Sequence, residues 1–493
     1  MELFVGLDVG TTGVKGILVD AFGNVRAIEN EKLSMLTPKP GWAEQRPEDW
    51  WLAVKKVLRK LAERADQLTG KIVSISTSGQ MHSLVALDES YKPIHNAILW
   101  CDQRTHTECE EATEKLGGEE RVLSLVGNPI LPGFTLPKIL WLKKHQPELF
   151  KRIRKIMLPK DFTNFMLTGE FATEHSDASG TMLYDVSKLD WCEEVLETFE
   201  IQKSWLPTLS RSDQIVGKVK KNLVEELGLK GEVFVVAGGA DNACAALGIG
   251  VIEPGDVMVS LGTSGTVVAP VVNGFPDPKG RVHFFAHTVF GVKYHMGVML
   301  TATYSLEWFK ERFLSEDYEK INEEVSKVPI GSNGVLFLPY LNGERTPHRD
   351  PHARGVFFGL SSFHSKWDIV RAIFEGVAFG IKDSFDILRE LGDRMERIRI
   401  TGGGSKSKVW NQMLADMLGF QIEKPAVDEG ASYGAAMLAC SGYTKLPLEK
   451  ISKSWYKLKA TTQPSSENQQ NYEQIYAKFK KLYAVLKDTF KEG

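Results

Sequence analysis

The sequence has few cysteines, and they are not grouped. The five cysteines of this 493-residue chain are scattered, with no C-x-x-C pair among them. A disulfide framework and a structural zinc site both need cysteines at short, regular spacing, so the pattern argues against both. It fits a protein of the reducing cytoplasm, where thiols stay free.

An excess of charge of one sign is also missing. The 60 Lys and Arg residues nearly balance the 63 Asp and Glu residues, which leaves a net charge of -3. Without a basic excess we expect no nucleic-acid partner, and no long charged block predicts a disordered tail. With 43% hydrophobic and 25% charged residues, the composition is that of an ordinary globular protein.

The third absence is a segment that could enter a membrane. The first residues, MELFVGLDVG, have no basic stretch before their apolar residues and read as a strand, so we expect no signal peptide. One stretch, residues 233–252, is long enough to imitate a transmembrane helix, but it contains Asp241, Asn242 and four glycines. Because a carboxylate at mid-bilayer is costly, we expect no membrane partner.

Strand-like and helix-like periods alternate along the chain. The pattern predicts a helix from residue 47, over residues 136–144 and after residue 241, and a C-terminal amphipathic helix docked on the second domain. It predicts strands over residues 3–7, 14–19, 72–76, around 84–87, over 233–236 and from residue 25. This mixture indicates an α/β fold.

One motif occurs twice. LDVGTTGVKGILV (residues 7–19) is similar to VSLGTSGTVVAPV (residues 259–271), and Asp8 of the first copy corresponds to Ser260 of the second. Each copy follows a strand-like run near the start of one half of the chain. We therefore predict two duplicated domains, residues 1–247 and 248–493, with a turn-rich boundary at about residues 247–256.

The turn of the first copy has the composition of a phosphate-binding loop. Glycines and hydroxyls between two strands leave backbone N–H groups that can converge on an anion, although the turn lacks the Walker spacing. Thr11 and Thr12 add hydroxyl donors, Lys15 adds a positive charge, and Asp8 can hold Mg²⁺ directly or through water. A plain hairpin turn also explains the first copy, and the second copy favours the phosphate loop.

Three other stretches are candidates for chemistry. SGQMHS (residues 78–83) follows a strand, and Met81 with His82 would suit a sugar, although a lone histidine is more often structural. TGGGSKS (residues 401–407) allows close approach of a flat ligand or phosphates to the backbone, but glycine runs are also common in turns. Residues 338–360, rich in Gly, Pro, Arg and His, predict an ordered loop across a cleft or domain boundary, without assigned chemistry.

Asp241 has two interpretations. It follows a strand and a glycine turn and precedes NACAALG, which is the position of a helix N-cap. A cap would lower the pKa of the carboxyl and keep it ionised. Asp241 could also be an active-site base, and the two roles are compatible because positioning and charge stabilisation dominate phosphoryl transfer.

Together these segments resemble the FGGY family of carbohydrate kinases, which has the ribonuclease H-like fold of actin, sugar kinases and Hsp70. Two stretches are similar to the family signatures: GFTLPKILWLKKH (residues 133–145), and residues 355–375 with VFFGLSSFHSKWDIVRAIFE. The resemblance covers nearly the whole chain. The segments GQMH, ILWCDQRT, PGFTLPK, LPKD, AGGADNA, SLGTSG and FLPYLNGERTPH are most similar to members that act on D-xylulose.

The resemblance implies a role for each candidate residue. Asp241 would deprotonate the C5 hydroxyl of the ketose, and Met81, His82 and Asn242 would contact the sugar together with it. The other implied residues bind the nucleotide. The first phosphate loop contains Thr11, Thr12 and Lys15, with Asp8 as the residue associated with the metal. The second phosphate loop contains Gly262 and Thr263, and a nucleotide-binding loop contains Gly403, Gly404 and Ser407. Some members have asparagine at the last position, from which Ser407 departs.

The implied reaction converts D-xylulose and MgATP into D-xylulose 5-phosphate and MgADP, with ATP and Mg²⁺ as cofactors and domain closure to exclude water. The sugar and ATP are the implied partners, and a homodimer is compatible with the resemblance. Another sugar stays open as an alternative (D-ribulose, L-ribulose, gluconate or glycerol), since few pocket residues set the choice and Met-His-Ser replaces the commoner Met-His-Gly. A non-enzymatic ATP-binding protein of the actin-like fold is disfavoured, because it would need neither GQMH nor the family signatures.

Overall fold

Each half of the chain builds one large β-sheet in the computed structural model, which describes residues 1–492. The strands of the N-terminal half are β1 (Glu2–Val9), β2 (Gly13–Asp20), β3 (Val25–Lys32), β4 (Glu44–Gln45), β5 (Lys71–Gly79), β6 (Val85–Leu87), β7 (Ala97–Ile98), β8 (Lys155–Met157), β9 (Ala172–Glu174), β10 (Tyr184–Asp185), β11 (Asp190–Trp191), β12 (Thr208–Ser210), β13 (Ile215–Lys218) and β14 (Phe234–Ala240). Its helices are α1 (Pro47–Gln67), α2 (His106–Lys115), α3 (Glu119–Val126), α4 (Thr135–His145), α5 (Pro147–Phe150), α6 (Pro159–Thr168), α7 (His175–Ala178), α8 (Glu193–Phe199), α9 (Lys221–Glu226) and α10 (Asp241–Gly248).

The C-terminal half has the same mixture of elements. Its strands are β15 (Gly255–Leu261), β16 (Gly265–Val271), β17 (His283–Ala286), β18 (Lys293–Met299), β19 (Leu336–Leu338), β20 (Val356–Phe358), β21 (Met395–Thr401), β22 (Ile422–Pro425) and β23 (Leu458–Thr462). Its helices are α11 (Thr303–Phe313), α12 (Tyr318–Lys327), α13 (Lys366–Glu390), α14 (Lys408–Leu418), α15 (Ala431–Thr444), α16 (Leu448–Trp455) and α17 (Ser466–Leu486). The predicted α/β class is confirmed.

The two sheets share one topology, which confirms the predicted duplication. The first has the order β13-β14-β5-β1-β2-β3 and the second β17-β18-β16-β15-β21-β22-β23. In both, the first strand of the repeated motif pairs antiparallel with the second and parallel with a later strand. Six strands correspond in order and direction, and β17 is an addition to the second sheet.

Central strand β1 is buried along nearly its whole length, because helices cover both faces of the first sheet. Helix α1 packs on one face, where the amphipathic pattern from residue 47 places Trp50, Trp51, Leu58 and Leu61 inward. Helix α15 packs on the other face, although it belongs to the C-terminal half of the chain. Because α15 packs on the first sheet, the two halves of the chain are not separate in space. The domain boundary at residue 247 therefore remains a prediction.

Small residues let α15 approach the first domain closely. A Cβ atom on Gly6 of β1 would lie 1.9 Å from the Ser432 carbonyl oxygen, and one on Gly434 would lie 1.9 Å from that of Cys244 in α10. Backbone atoms cannot yield as a flexible side chain would. This contact holds α10, which begins at Asp241, against the sheet.

We expect Gly434→Ala to destabilise the protein by about 1–3 kcal/mol, because the added methyl overpacks a backbone contact. An exposed helical glycine would instead gain stability on the same change. The free energy of unfolding in urea measures the effect. Gly403→Ala is the matched control, since nothing lies within 4 Å of its added carbon. Equal stability of the two variants would contradict the packing argument.

Residues 233–252 form β14, α10 and a turn, and no helix within residues 1–492 is long and apolar enough to cross a bilayer. Helix α17 docks on the second domain as expected. Its Tyr472, Tyr476 and Phe479 are buried in the core that α13 and α14 also line.

Candidate active site

The candidate residues converge because of where the parallel strands end. Strands β1, β5 and β14 run parallel, and Asp8, His82 and Asp241 lie at or just beyond their carboxyl ends. Open α/β sheets bind ligands at this edge. In the second domain, the turn with Gly262 follows β15 and the glycine turn at residues 402–404 follows the neighbouring strand β21.

Asp241 is the first residue of α10, and Ala240 occupies the N-cap position without a side-chain bond. One carboxylate oxygen of Asp241 accepts the backbone N–H of Asn242 at 2.6 Å and its side-chain amide at 2.9 Å. The predicted N-cap is therefore wrong by one residue. Asn242 orients the carboxylate, and the second oxygen has no hydrogen-bond partner among the described residues.

The predicted lowering of the Asp241 pKa is also wrong. Burial, and next the charge of Asp8, raise the pKa of Asp241 to about 7, against the opposing effect of the Asn242 bonds. The helix N-terminus cannot offset the loss of water and a like charge nearby. A proton acceptor works best with a pKa near the operating pH, so the elevated value favours a base.

Asp8 is the second carboxylate of the site. Burial raises its pKa to about 6, while the charge of Lys15 opposes the rise. Its Oδ1 atom is buried without a hydrogen-bond partner in the described chain. A buried, unpartnered carboxylate oxygen near another carboxylate fits a divalent cation, which takes oxygen ligands.

The protein supplies few ligands for such a cation. Residues 1–492 contain no group of three or more His, Cys, Asp and Glu side chains that could hold a metal ion. Mg²⁺ usually keeps several waters and binds through one or two carboxylates and substrate phosphates. The donor set around Asp8 therefore fits magnesium that arrives with a nucleotide.

Two predicted phosphate-loop residues have protein partners. The Thr11 hydroxyl accepts from the Trp100 indole at 2.9 Å and donates to Gln80 at 3.3 Å. Lys15 donates to the Glu429 carboxylate at 2.5 Å, across the interface with the segment before α15. The side chain of Thr12 is exposed in the same turn. The turn is thus braced by its neighbours, and Lys15 links the two halves of the chain.

The second domain contributes a large cavity beside its two turns. Gly402 lets the turns touch, since a Cβ atom there would lie 2.7 Å from the Leu261 carbonyl oxygen. The carbonyls of Gly262 and Thr263 accept N–H groups at the start of α11. The adjoining cavity of about 740 Å³ is lined by Gly403, Gly404, Ser407, Asn322, Phe374, Trp410 and others, and its size suits a nucleotide.

Ser407 has a structural role that its sequence position did not reveal. Its hydroxyl accepts the N–H of Trp410, which caps α14 at 3.1 Å, and donates to the Asn322 side chain. The hydroxyl is therefore satisfied by the protein at the edge of the cavity.

His82, just beyond the end of β5, is held in an unusual conformation. It has a left-handed backbone, with φ of +65°. Its Nδ1 donates to the Gly180 carbonyl at 2.6 Å, and burial lowers its pKa to about 3. The neutral ring thus keeps Nε2 as an acceptor. A Cβ atom on Gly180 would lie 2.7 Å from that ring and 2.9 Å from Met81, so this glycine permits their approach.

The signature stretch at residues 133–145 holds this conformation. The His82 carbonyl accepts from the Thr135 hydroxyl at 3.0 Å and from the Lys138 ammonium at 2.9 Å. Lys138 is fully buried, and burial lowers its pKa to about 7. Sequence reasoning identified the signature but missed these two supporting residues.

An aromatic wall completes the site. The ring of His82 lies 4.6 Å from that of Phe134 and 5.9 Å from that of Phe285, which is 5.8 Å from Tyr294. The Tyr294 hydroxyl is buried without a partner in the described residues, and the charge of Asp241 helps to raise its pKa. The wall therefore runs from His82 through Phe285 to Tyr294. No motif in the sequence indicated Phe285 or Tyr294.

Known proteins are similar to this chain along both of its halves. Residues 3–248 match the model of the N-terminal domain of the FGGY family of carbohydrate kinases, and residues 257–443 match that of the C-terminal domain. A xylulose kinase of Lactococcus lactis is 43% identical over 487 residues, which cover 98% of this chain and 97% of that protein.

Solved structures agree in fold. A xylulose kinase and a gluconate kinase of Lactobacillus acidophilus each superpose with a TM-score of 0.94 at 26% identity, and cover 100% of this chain and 100% and 99% of their own. Since both halves match and a full-length relative is this similar, the protein is a sugar kinase and not a non-enzymatic ATP-binding protein. The chain belongs to the FGGY family of carbohydrate kinases.

Proposed function

We propose that this kinase transfers the γ-phosphoryl group of ATP to the C5 hydroxyl of D-xylulose. The observation that carries the proposal is Asp241, a half-buried carboxylate with a raised pKa at the carboxyl end of β14. Identity of 43% to a xylulose kinase along the whole chain supports the choice of sugar.

In this mechanism Asp241 accepts the proton of the attacking hydroxyl. The bonds from Asn242 fix one carboxylate oxygen, so the free oxygen points to the substrate in a defined orientation. Positioning of this kind supplies much of the rate enhancement in phosphoryl transfer. Met81 and His82 contact the sugar, the first through an apolar surface and the second through Nε2.

The two turns and the glycine loop hold the nucleotide. The phosphates would pass between the domains, beside Thr12, Lys15, Gly262 and Thr263. The base would enter the cavity that is lined by Gly403, Gly404 and Ser407. Asp8 would hold Mg²⁺, directly or through water, and the ion would neutralise charge on the phosphates. Movement of the halves would exclude water from the transfer.

The assay that tests the substrate is ADP release with MgATP against a panel of ketoses, polyols and sugar acids. We expect D-xylulose to give the highest kcat/KM, ahead of D-ribulose, L-ribulose, gluconate and glycerol. Gluconate is an informative substrate to include, because a gluconate kinase and a xylulose kinase superpose on this structure with the same TM-score. Preference for another sugar would overturn the substrate, and stimulation by none would overturn the phosphotransfer.

A cytoplasmic location belongs to the same proposal. All five cysteines are unpaired, and four of them are buried. Free thiols suit a reducing compartment, where ATP and the sugar are also available. Gel filtration would test whether the protein forms a homodimer.

A further inference from the structure

The loop at residues 338–360 crosses between the two halves of the chain, as its composition predicted. Arg349 forms a bidentate ion pair with Glu119 at the start of α3, at 2.6 and 2.7 Å. Thr346 donates to the Arg281 carbonyl at 2.8 Å and accepts from the Val298 N–H at 3.0 Å. The segment directly after Arg345 is therefore anchored to both halves of the chain.

Arg345 extends from this loop towards the sugar side of the first domain. Its Nη1 lies 3.4 Å from Nε2 of His283, which is the one hydrogen bond of the guanidinium to the described residues. Its Nη2 lies 3.8 Å from where a Cβ atom on Gly133 would be, so glycine leaves room for it. Gly133 opens the signature stretch that supports His82.

No acidic side chain pairs with Arg345 within residues 1–492. The neighbouring Glu344 has one oxygen bonded to the N–H groups of Leu300 and Arg345, at 2.9 and 2.7 Å, and its other oxygen is buried without a partner. Burial raises the pKa of Glu344 to about 8, which weakens it as an ionic partner for Arg345.

The surroundings of the guanidinium are aromatic and neutral. The rings of His283 and Phe285 stack at 5.3 Å, and His283 lies 5.6 Å from Phe134. The charge of Arg345 helps to keep both His82 and His283 unprotonated. A guanidinium has five N–H donors, and the protein provides one acceptor for those of Arg345. Leaving the other donors of a half-buried arginine unpaired costs free energy, unless a ligand provides acceptors for them.

We propose that Arg345 is a substrate-binding residue that the C-terminal half contributes to the sugar site. Its guanidinium donates hydrogen bonds to the oxygens at the C1–C2 end of the ketose. Aromatic rings link Arg345 and His82 through Phe285 to Tyr294, and a sugar with its C5 hydroxyl at Asp241 would place its carbonyl end at Arg345. This assignment rests on the proposed function.

The site is consequently complete only when the two halves meet. Asp241, Met81 and His82 come from the first domain, and Arg345 comes from the loop that Arg349 ties to Glu119. Sugar binding would therefore stabilise the contact between the halves.

The test compares Arg345→Met with Arg349→Gln, a control that breaks an ion pair in the same loop. We expect Arg345→Met to raise the KM for the sugar about 10- to 100-fold, since hydrogen bonds from a charged donor contribute about 1.5–3 kcal/mol. The KM for ATP should change less than about threefold. The control should raise the KM for the sugar much less than Arg345→Met does, because the Thr346 bonds still hold the loop. Calorimetric titration with D-xylulose, without nucleotide, should show the same loss of sugar affinity.

Arg345→Lys provides a second variant in case the methionine variant folds poorly. A lysine keeps the charge but cannot form a fork of two bonds, so we expect a KM for the sugar between those of the wild type and Arg345→Met. Equal effects of Arg345→Met and Arg349→Gln would show that the loop only joins the domains, and unchanged sugar affinity would likewise overturn the assignment. A wild-type protein that no sugar stimulates would instead overturn the proposed function.

Discussion

Asp241→Asn is expected to lower kcat with D-xylulose by about 10³-fold or more, because the amide cannot accept the hydroxyl proton. The affinity for ATP should stay within a few-fold, since the nucleotide cavity lies in the other domain. Single-turnover assays and calorimetric titration with ATP measure the two quantities. Turnover near that of the wild type would show that Asp241 is not the base.

The same variant should not lose stability, and this separates a catalytic role from a structural one. Asp241 is costly to the fold, because its carboxyl is half-buried, loses contact with water and lies in the field of Asp8. Asparagine keeps the shape of the side chain and removes the repulsion. We therefore expect an equal or higher thermal midpoint, as for other groups that serve function at the expense of stability.

Lys160→Met is expected to destabilise the protein by about 3–5 kcal/mol, because it leaves buried carboxyl groups without their cation. The Lys160 ammonium lies 2.5 Å from Asp161, 3.5 Å from Glu174 and 3.6 Å from Asp177, and all four side chains are buried. These carboxylates raise the pKa of Lys160 despite its burial.

This cluster also supports the start of α10. Glu174 accepts from the Ser176 hydroxyl, which in turn accepts the N–H of Ala240 at 3.0 Å, one residue before Asp241. We therefore expect Lys160→Met to lower kcat as well, through the position of Asp241.

Urea unfolding measures the loss of stability in Lys160→Met. Lys151→Met is its control, because the exposed pair of Lys151 with Glu148 at 2.6 Å is screened by water and should contribute little. Similar midpoints for the two variants would contradict the importance of burial.

Much of the fold was predictable from the sequence. The strands at the two copies of the motif, the helix from residue 47 and the C-terminal helix follow from apolar periodicity, which depends on which residues can be buried. The duplication followed from four residues at equal positions, Gly10 to Gly13 and Gly262 to Gly265, and both copies do form a hairpin with a parallel neighbour.

The interaction of distant segments was less predictable. The sequence places α15 in the C-terminal half, but Gly6 and Gly434 seat it on the first sheet. The supporting bonds of Thr135 and Lys138 to His82 join residues more than fifty positions apart. Local patterns contain no information about such pairs, because the contact exists only after both segments have folded.

By itself, the sequence determined the α/β class, the duplicated halves and the candidate residues at the strand ends, since each depends on local periodicity or on a contiguous motif. The tertiary structure decided the electrostatics of the site. It raised the pKa of Asp241, which local reasoning predicted to fall, and it brought Arg345 beside His283 without an acidic partner. Burial and the distance to other charges set both properties, and only the packed chain defines them.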